Sequence, residues 1–479
     1  MLFLILITPF IASILSYVAA PTVSALGTIG ILSTSIELIS SIALMISLGS
    51  HPAPLTARYL GVDHIGAVVL LLLSLGGLMS AIYARGYTAA EMTKGIIGFN
   101  RAKKLYAQLH LFLLAMSLAI VTTNPILTWI AIEATTLTTA FLISYYDKPS
   151  AMEAAWKYLM LNSVGLLFAF FGTLLFLTPE LRGAHGPETW QGLLAQAEAY
   201  NPFIVKMAFV FALIGYGTKV GLSPMHTWLP DAHSKAPSPI SSLLSGVLLN
   251  IPLLAILRAK AITDAAVGPS YASGLLIMFG LLSLVISSAI ILVQKNYKRL
   301  LAYSSIENMG VVTMGFGIGG LASYAALLHM MYHSLTKSLL FLSAGTILVK
   351  YGSTKIEGIK GMMKTLPITG PIFFFGILTL IGMPPMGIFF TEFTILLSGM
   401  RYYPVVSVAA LCALIVAGIG FMRHVTSMEF YGGEKSMAAG EISVWMTAPL
   451  LVLALIIIIA SVFLPQSIQT FLALAAKTL

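Results

Sequence analysis

Lys219 lies near the end of an apolar run that begins at about Pro202, and Pro224, Pro230, Pro237 and Pro239 follow it closely. An ammonium at membrane depth costs about 2.5–3.5 kcal/mol on insertion scales, so it normally marks a pathway or a paired charge. Proline inside a membrane helix frees backbone carbonyls, which is tolerated only beside protein or water. A charge beside a broken helix is how transporters build ion sites. The plainer alternative is a lysine that snorkels to the interface beside an ordinary loop. Glu133 lies deep in a second apolar run, NPILTWIAIEATTLTTAFLISYY, with Thr135, Thr136, Thr138 and Thr139 at hand to satisfy it. A carboxylate and an ammonium held together in a membrane can exchange a proton or be drawn apart, and either event changes both proton affinities.

His329, His333 and Lys337 are spaced four residues apart. At about 100° per residue they share one helix face. A lone membrane histidine is usually a hydrogen-bonded core residue. Three ionisable groups on one stripe suit a wet channel that relays protons, because histidine titrates near neutral pH. Haem ligation by His329 or His333 is the rival chemistry. Glu392 follows a double proline in MPPMGIFFTEFTILLSG, and Glu307 sits in SSIENMG, where it could also be an interface acid beside Arg299. Lys157 and Glu153 are one helical turn apart in EAAWKYLMLN, a spacing that fits either a surface ion pair or a place where protons come in.

The elements that position these groups are apolar helices. Of the 479 residues, 58% are hydrophobic and 9% charged; a soluble protein has about 25% charged residues. Apolar runs long enough to cross a bilayer recur throughout. The pattern predicts an all-α, polytopic membrane protein of about fourteen spans, over 2–20, 26–48, 62–85, 105–122, 125–145, 152–177, 202–222, 240–260, 271–293, 300–320, 323–349, 367–398, 403–428 and 445–465. The seventh and twelfth contain Gly221-Leu-Ser-Pro224-Met225 and Gly382-Met-Pro-Pro385-Met386, and both are expected to be broken there. Paired interruptions in two halves of a chain point to a transporter site. The first run lacks a basic leader region, so it reads as a span and not as a cleaved signal.

Most basic residues outside the spans, Lys94, Lys103, Lys298 and Lys360 among them, fall on one side of this arrangement. The positive-inside rule then places both termini outside. The net charge of +9 is spread over short loops and suggests no nucleic acid. The outside connection 178–201, with Glu180, Glu188 and Glu198, reads as a solvated cap. Cys412 is the sole cysteine, which excludes a cysteine-ligated iron–sulfur cluster held by this chain.

The stretches GTKVGLSPMHTWLPDAHSKAPSP (217–239), KRLLAYSSIENMG (298–310) and HSLTKSLLFLSAG (333–345) carry a resemblance. They are similar to the antiporter-like membrane subunits of respiratory complex I, of membrane-bound nickel–iron hydrogenase complexes and of multi-subunit sodium/proton antiporters. The likeness is strongest to the hydrogenase-4 component F branch and covers about 105–430. It implies two inverted five-helix repeats, 105–260 and 271–428, between N-terminal helices over 1–104 and a last helix with a short tail over 445–479. It implies that Glu133 and Lys219 are the family's carboxylate–lysine pair. It also implies that His329, His333 and Lys337 lie on the second pathway and that Glu392 is the ionisable group of the second broken helix. Glu307 fits the hydrogenase branch. Many relatives carry lysine or histidine where this chain has Asn250, which cannot hold a proton, so the centre of the relay departs from the pattern.

The expected function is proton translocation, with sodium as the alternative ion, by one subunit of a respiratory oxidoreductase complex. The resemblance puts no cofactor in this chain, and iron–sulfur clusters and a nickel–iron centre in partner subunits. The expected partners are other membrane subunits, a peripheral redox arm and the lipid bilayer, in a prokaryotic inner membrane. A subunit of a multi-subunit sodium/proton antiporter and a non-conducting scaffold subunit are the competing readings.

Overall fold

The computed structural model describes residues 1–49, 55–56, 59–178, 189–430 and 438–477. Glu180 and Glu188 of the expected acidic cap lie outside the described residues. The helices are α1 (Leu2–Val18), α2 (Val23–Gly49), α3 (His64–Thr93), α4 (Phe99–Val121), α5 (Pro125–Ile143), α6 (Pro149–Phe176) and the short α7 (Trp190–Ala195). Then come α8 (Pro202–Val220), α9 (Trp228–Lys235), α10 (Ser238–Leu243), α11 (Asn250–Val267), α12 (Pro269–Ile291), α13 (Tyr297–Ile318) and α14 (Leu321–Tyr351). The last are α15 (Met362–Thr365), α16 (Thr369–Leu380), α17 (Gly387–Met400), α18 (Pro404–Phe430), α19 (Val444–Val462) and α20 (Gln466–Lys477). The only strands among the described residues, β1 (Leu55–Thr56) and β2 (Gly61–Val62), form a minimal antiparallel ladder before α3.

A helix or a broken pair of helices lies over each of the fourteen expected stretches. Among the described residues, ten helical segments are long and apolar enough to cross a membrane. Helices α13 and α14, which carry Lys298, Arg299 and Glu307 and His329, His333 and Lys337, are not among those ten, and α1, α16 and α17 are shorter apolar helices. The chain is a multi-pass membrane protein.

Side-chain caps start several of these helices. The Asn124 side chain accepts the backbone N–H groups of Ile126 and Leu127 at the start of α5. Asn296 does the same for Lys298 and Arg299 at the start of α13. Such caps satisfy donors that a helix cannot satisfy itself, which matters most where water is scarce.

The seventh and twelfth spans are broken as expected, α8 from α9 and α16 from α17. Gly221 (φ 86°) ends α8 and Gly382 (φ 66°) follows α16, both in the left-handed region that glycine enters without penalty. The eighth span carries an interruption that its sequence does not announce. A π-helical turn, Leu244–Leu248, separates α10 from α11. π turns are rare and tend to occur at functional sites.

The stretch 238–257 is buried throughout, and α13 and α14 are buried along most of their length. Outer helices α6, α12 and α18 turn side chains such as Trp156, Phe171, Val285, Val408 and Ile415 outward. Helices α12 and α13 touch through Gly280 and Gly310. A Cβ on either would stand 2.7 Å from the other's carbonyl oxygen, so nothing larger fits the crossing. Lys219, Glu307, His329, His333, Lys337 and Glu392 therefore sit in a central layer walled by apolar helices, with Glu133 partly buried at its edge.

Candidate functional site

Helix α8 brings Lys219 to the first break. Asn201 caps its start by accepting the Phe203 N–H, and Gly221 ends it with N–H bonds to Gly217 and Thr218 carbonyls. The Trp228 indole donates to the same Thr218 carbonyl at 2.8 Å, so that helix-end acceptor is not left to water alone. Lys219 is fully buried. Its Nζ donates to Tyr158 OH at 2.6 Å and to Thr136 Oγ1 at 2.9 Å. Thr136 in turn donates to Glu133 Oε2 at 3.3 Å, and Ser163 donates to Oε1 at 2.9 Å.

The expected carboxylate–lysine pair is thus present as a bridged pair. Thr136 stands between the two charges, and they make no direct ion pair within 4.0 Å. The reason is local: Thr136 is one turn beyond Glu133 on α5, so its hydroxyl reaches both groups. Beyond the break, Ser223 N–H donates to Ser283 Oγ at 2.9 Å, and Ser223 Oγ pairs with His226 Nδ1 at 3.0 Å.

The second cluster is built on α14, one unbroken helix that holds His329, His333 and Lys337 in its buried length. Lys337 Nζ donates to the Leu301 carbonyl at 2.8 Å and to Ser304 Oγ, both on α13. Asn308 Nδ2 donates to the Ser304 carbonyl at 2.9 Å, and Asn308 Oδ1 meets His329 Nε2 at 3.1 Å. His329 Nδ1 meets Thr391 Oγ1 at 2.9 Å, on α17 next to Glu392. Hydrogen-bonded residues therefore run from Lys337 through Ser304, whose hydroxyl meets the lysine and whose carbonyl meets Asn308, to the residue beside Glu392. Both His329 ring nitrogens are taken, which leaves neither for a haem iron. His333 is buried, and among the described residues its nitrogens have no partner.

Glu307 is buried within electrostatic reach of Lys337 and Glu392. Arg299 is paired with Asp231 and not with Glu307. Glu392 packs against the second break, where a Cβ on Gly382 would run into its Oε2. Asn250, the first residue of α11, donates to Ser334 Oγ on α14 at 2.9 Å, and Ser245 and Ser305 share a 2.6 Å hydrogen bond between the π turn and α13. No side-chain hydrogen bond among the described residues joins the Lys219 cluster to Asn250 or Lys337.

Lys157 is set apart from both clusters. Half-exposed, it pairs with Glu153 at 2.6 Å and stands 3.8 Å from Asp231, which Arg299 also holds. Lys298, expected in a loop, is a correction. It is 1% exposed and donates to the Ala236 carbonyl at 2.8 Å, because the start of α13 packs against the end of α9. Sequence reasoning also passed over Tyr158, His226, Asp231, His233 and Asn308. His226, Asp231 and His233 lay inside the quoted 217–239 stretch, and their polarity within a proline-broken segment was the available signal.

Residues 122–419 match the family described as NADH:quinone oxidoreductase/Mrp antiporter, transmembrane. The chain belongs to that family. It is 39% identical over 360 residues to a hydrogenase-4 component F homolog of Methylacidiphilum infernorum, covering 74% of this chain and 76% of that one. It is 27% identical over 437 residues to NADH-quinone oxidoreductase subunit N of Desulforudis audaxviator, covering 86% and 84%. Two solved structures share the fold. A chain of an archaeal membrane-bound sulfane sulfur reductase superposes with a TM-score of 0.86 at 23% identity, and one of the Mrp complex from Dietzia with 0.85 at 18%. Each alignment covers 100% of this chain and 96% of the other. The chain is an antiporter-like membrane subunit of the complex I, hydrogenase and Mrp family.

Proposed function

We propose that this chain moves protons across a prokaryotic inner membrane as one subunit of a hydrogenase-like respiratory complex. One observation carries the reading. Among the described residues a fully buried lysine donates its hydrogen bonds to two hydroxyl groups, with a carboxylate one hydroxyl away. Hydroxyls both give and accept hydrogen bonds, so they serve the amine in either protonation state. Glu133 and Lys219 form the proton-holding pair of the first half. Asn250 with Ser334 orients water between the halves. His333, Lys337, His329, Glu307 and Glu392 carry the second half, and Lys157 stands at a surface end of the path.

Electron transfer in partner subunits, through iron–sulfur clusters and a nickel–iron centre in a peripheral arm, drives the charge rearrangement. The two halves, 105–260 and 271–428, act as inverted repeats. Both termini face outside; a cysteine placed at position 94 should be labelled only from the inside of sealed vesicles, and outside labelling would reverse the topology. A second reading, a gradient-driven sodium/proton antiporter subunit, is favoured by the family's own description, which spans both classes.

The test is Lys219→Arg in the intact complex reconstituted into vesicles. Arginine keeps its charge and cannot release the proton. Proton transport should fall by about 100-fold, the scale of a lost proton-transfer group, with electron transfer less affected. Normal pumping would show that a fixed charge suffices and would leave the scaffold reading standing.

A further inference from the structure

We propose that Glu91, near the end of α3, is the acid that takes protons up from the membrane face carrying the 94–98 and 352–361 turns and supplies them to Lys337; this rests on the proton-translocation reading above. Glu91 is 3% exposed. One of its oxygens accepts the Tyr146 hydroxyl at 2.5 Å, and Tyr146 shares a 2.7 Å hydrogen bond with Tyr87 OH. Its other oxygen is buried and has no partner among the described residues. A carboxylate with one oxygen anchored and one free can receive a proton without losing its hold. Tyr146 is only partly buried, and its neighbour Tyr145 lines an open cleft of about 430 Å³ together with Arg101 and Lys104. Water thus comes within about one phenol of the acid.

On the inward side, buried Lys298 is within electrostatic reach of Glu91. It is held by the carbonyl of Ala236, three residues after His233. His233 is fully buried, stacked on Phe341 at 4.6 Å, and neither ring nitrogen has a partner among the described residues. It feels the charges of both Lys298 and Lys337. An imidazole with two unoccupied nitrogens can take a proton on one and give it from the other. On this proposal protons pass from Glu91 by way of Lys298 and His233 to Lys337 in the second cluster. A purely structural role for Glu91 is to tie α3 to the end of α5 through Tyr146, and that role needs only an acceptor.

Glu91→Gln keeps the acceptor and removes the proton, so it separates the two roles. In the intact complex in sealed vesicles, Glu91→Gln should assemble normally and lower proton transport by about 100-fold, while Glu91→Asp retains most of it. The infrared difference spectrum between high and low pH should lose one carboxylic acid band in Glu91→Gln. Wild-type transport in Glu91→Gln, or failure of both variants to assemble, would overturn the proposal. If Glu91→Gln pumps normally while Lys219→Arg does not, the uptake route is wrong and translocation stands. If both pump normally, the translocation reading itself fails.

Discussion

Two of the buried lysines, Lys219 and Lys337, are satisfied in different ways. Lys219 ends a helix at a break and is held by two hydroxyls, with a carboxylate behind one of them. Lys337 sits in an unbroken helix and is held by a backbone carbonyl and one serine. A carbonyl only accepts, so the Lys337 site always wants a donor. The hydroxyls around Lys219 can turn and offer a proton to a neutral amine. On our proposal both lysines pass protons, and the difference is that the neutral amine of Lys219 can be offered a proton by either of its hydroxyl partners, whereas that of Lys337 has only Ser304 to turn to it.

That contrast can be broken at its hydrogen bonds. Thr136→Val removes the bridge between Glu133 and Lys219, and hydrogen bonds to charged groups are worth about 1.5–3 kcal/mol. Transport should fall by about tenfold or more, and Thr136→Ser should restore it; an unaffected valine variant would mean that the bridge is incidental. Ser304→Ala takes one acceptor from Lys337 but leaves the Leu301 carbonyl. Its effect should be smaller, a few-fold at most, measured in the same vesicles. A larger loss in Ser304→Ala than in Thr136→Val would invert the comparison.

The breaks offer the smallest contrast. Alanine in the left-handed region costs about 1–2 kcal/mol, so Gly221→Ala and Gly382→Ala should lower thermal stability alike. The new methyl at 221 meets Leu229, whereas at 382 it meets the Glu392 carboxylate. Only Gly382→Ala should then also lower transport beyond what its lost stability explains, which transport per assembled complex would reveal.

Much of this was legible in the chain. The apolar runs marked the helices, the Gly-and-Pro clusters marked both breaks, and four-residue spacing put His329, His333 and Lys337 on one helix. Thr136 was in view as a possible partner for Glu133, but which threonine bridges depends on where α8 crosses α5. Lys298 read as a loop cation because Arg299 adjoins it and Asn296 precedes it, and only packing shows that its first turn is covered by the end of α9. Glu91 sits a turn from a helix end, where an acid usually meets water, and its burial comes from Tyr146 in a distant part of the chain. The π turn had no signal, since SPISSLLSGVLLNIPLL reads as an ordinary span.

That π turn holds one residue more than an α-helical turn would. Residues five apart, such as Ser245 and Asn250, would be separated by about 140° on a regular helix. The i to i+5 closure brings them nearer one side, so Ser245 can meet α13 while Asn250 meets α14. Removing a single residue from 244–248 would rewind the segment and swing everything after it by about 100°, carrying Asn250 away from Ser334. The extra residue works as a phase shift, keeping both ends of one buried helix turned toward the adjacent pair α13 and α14.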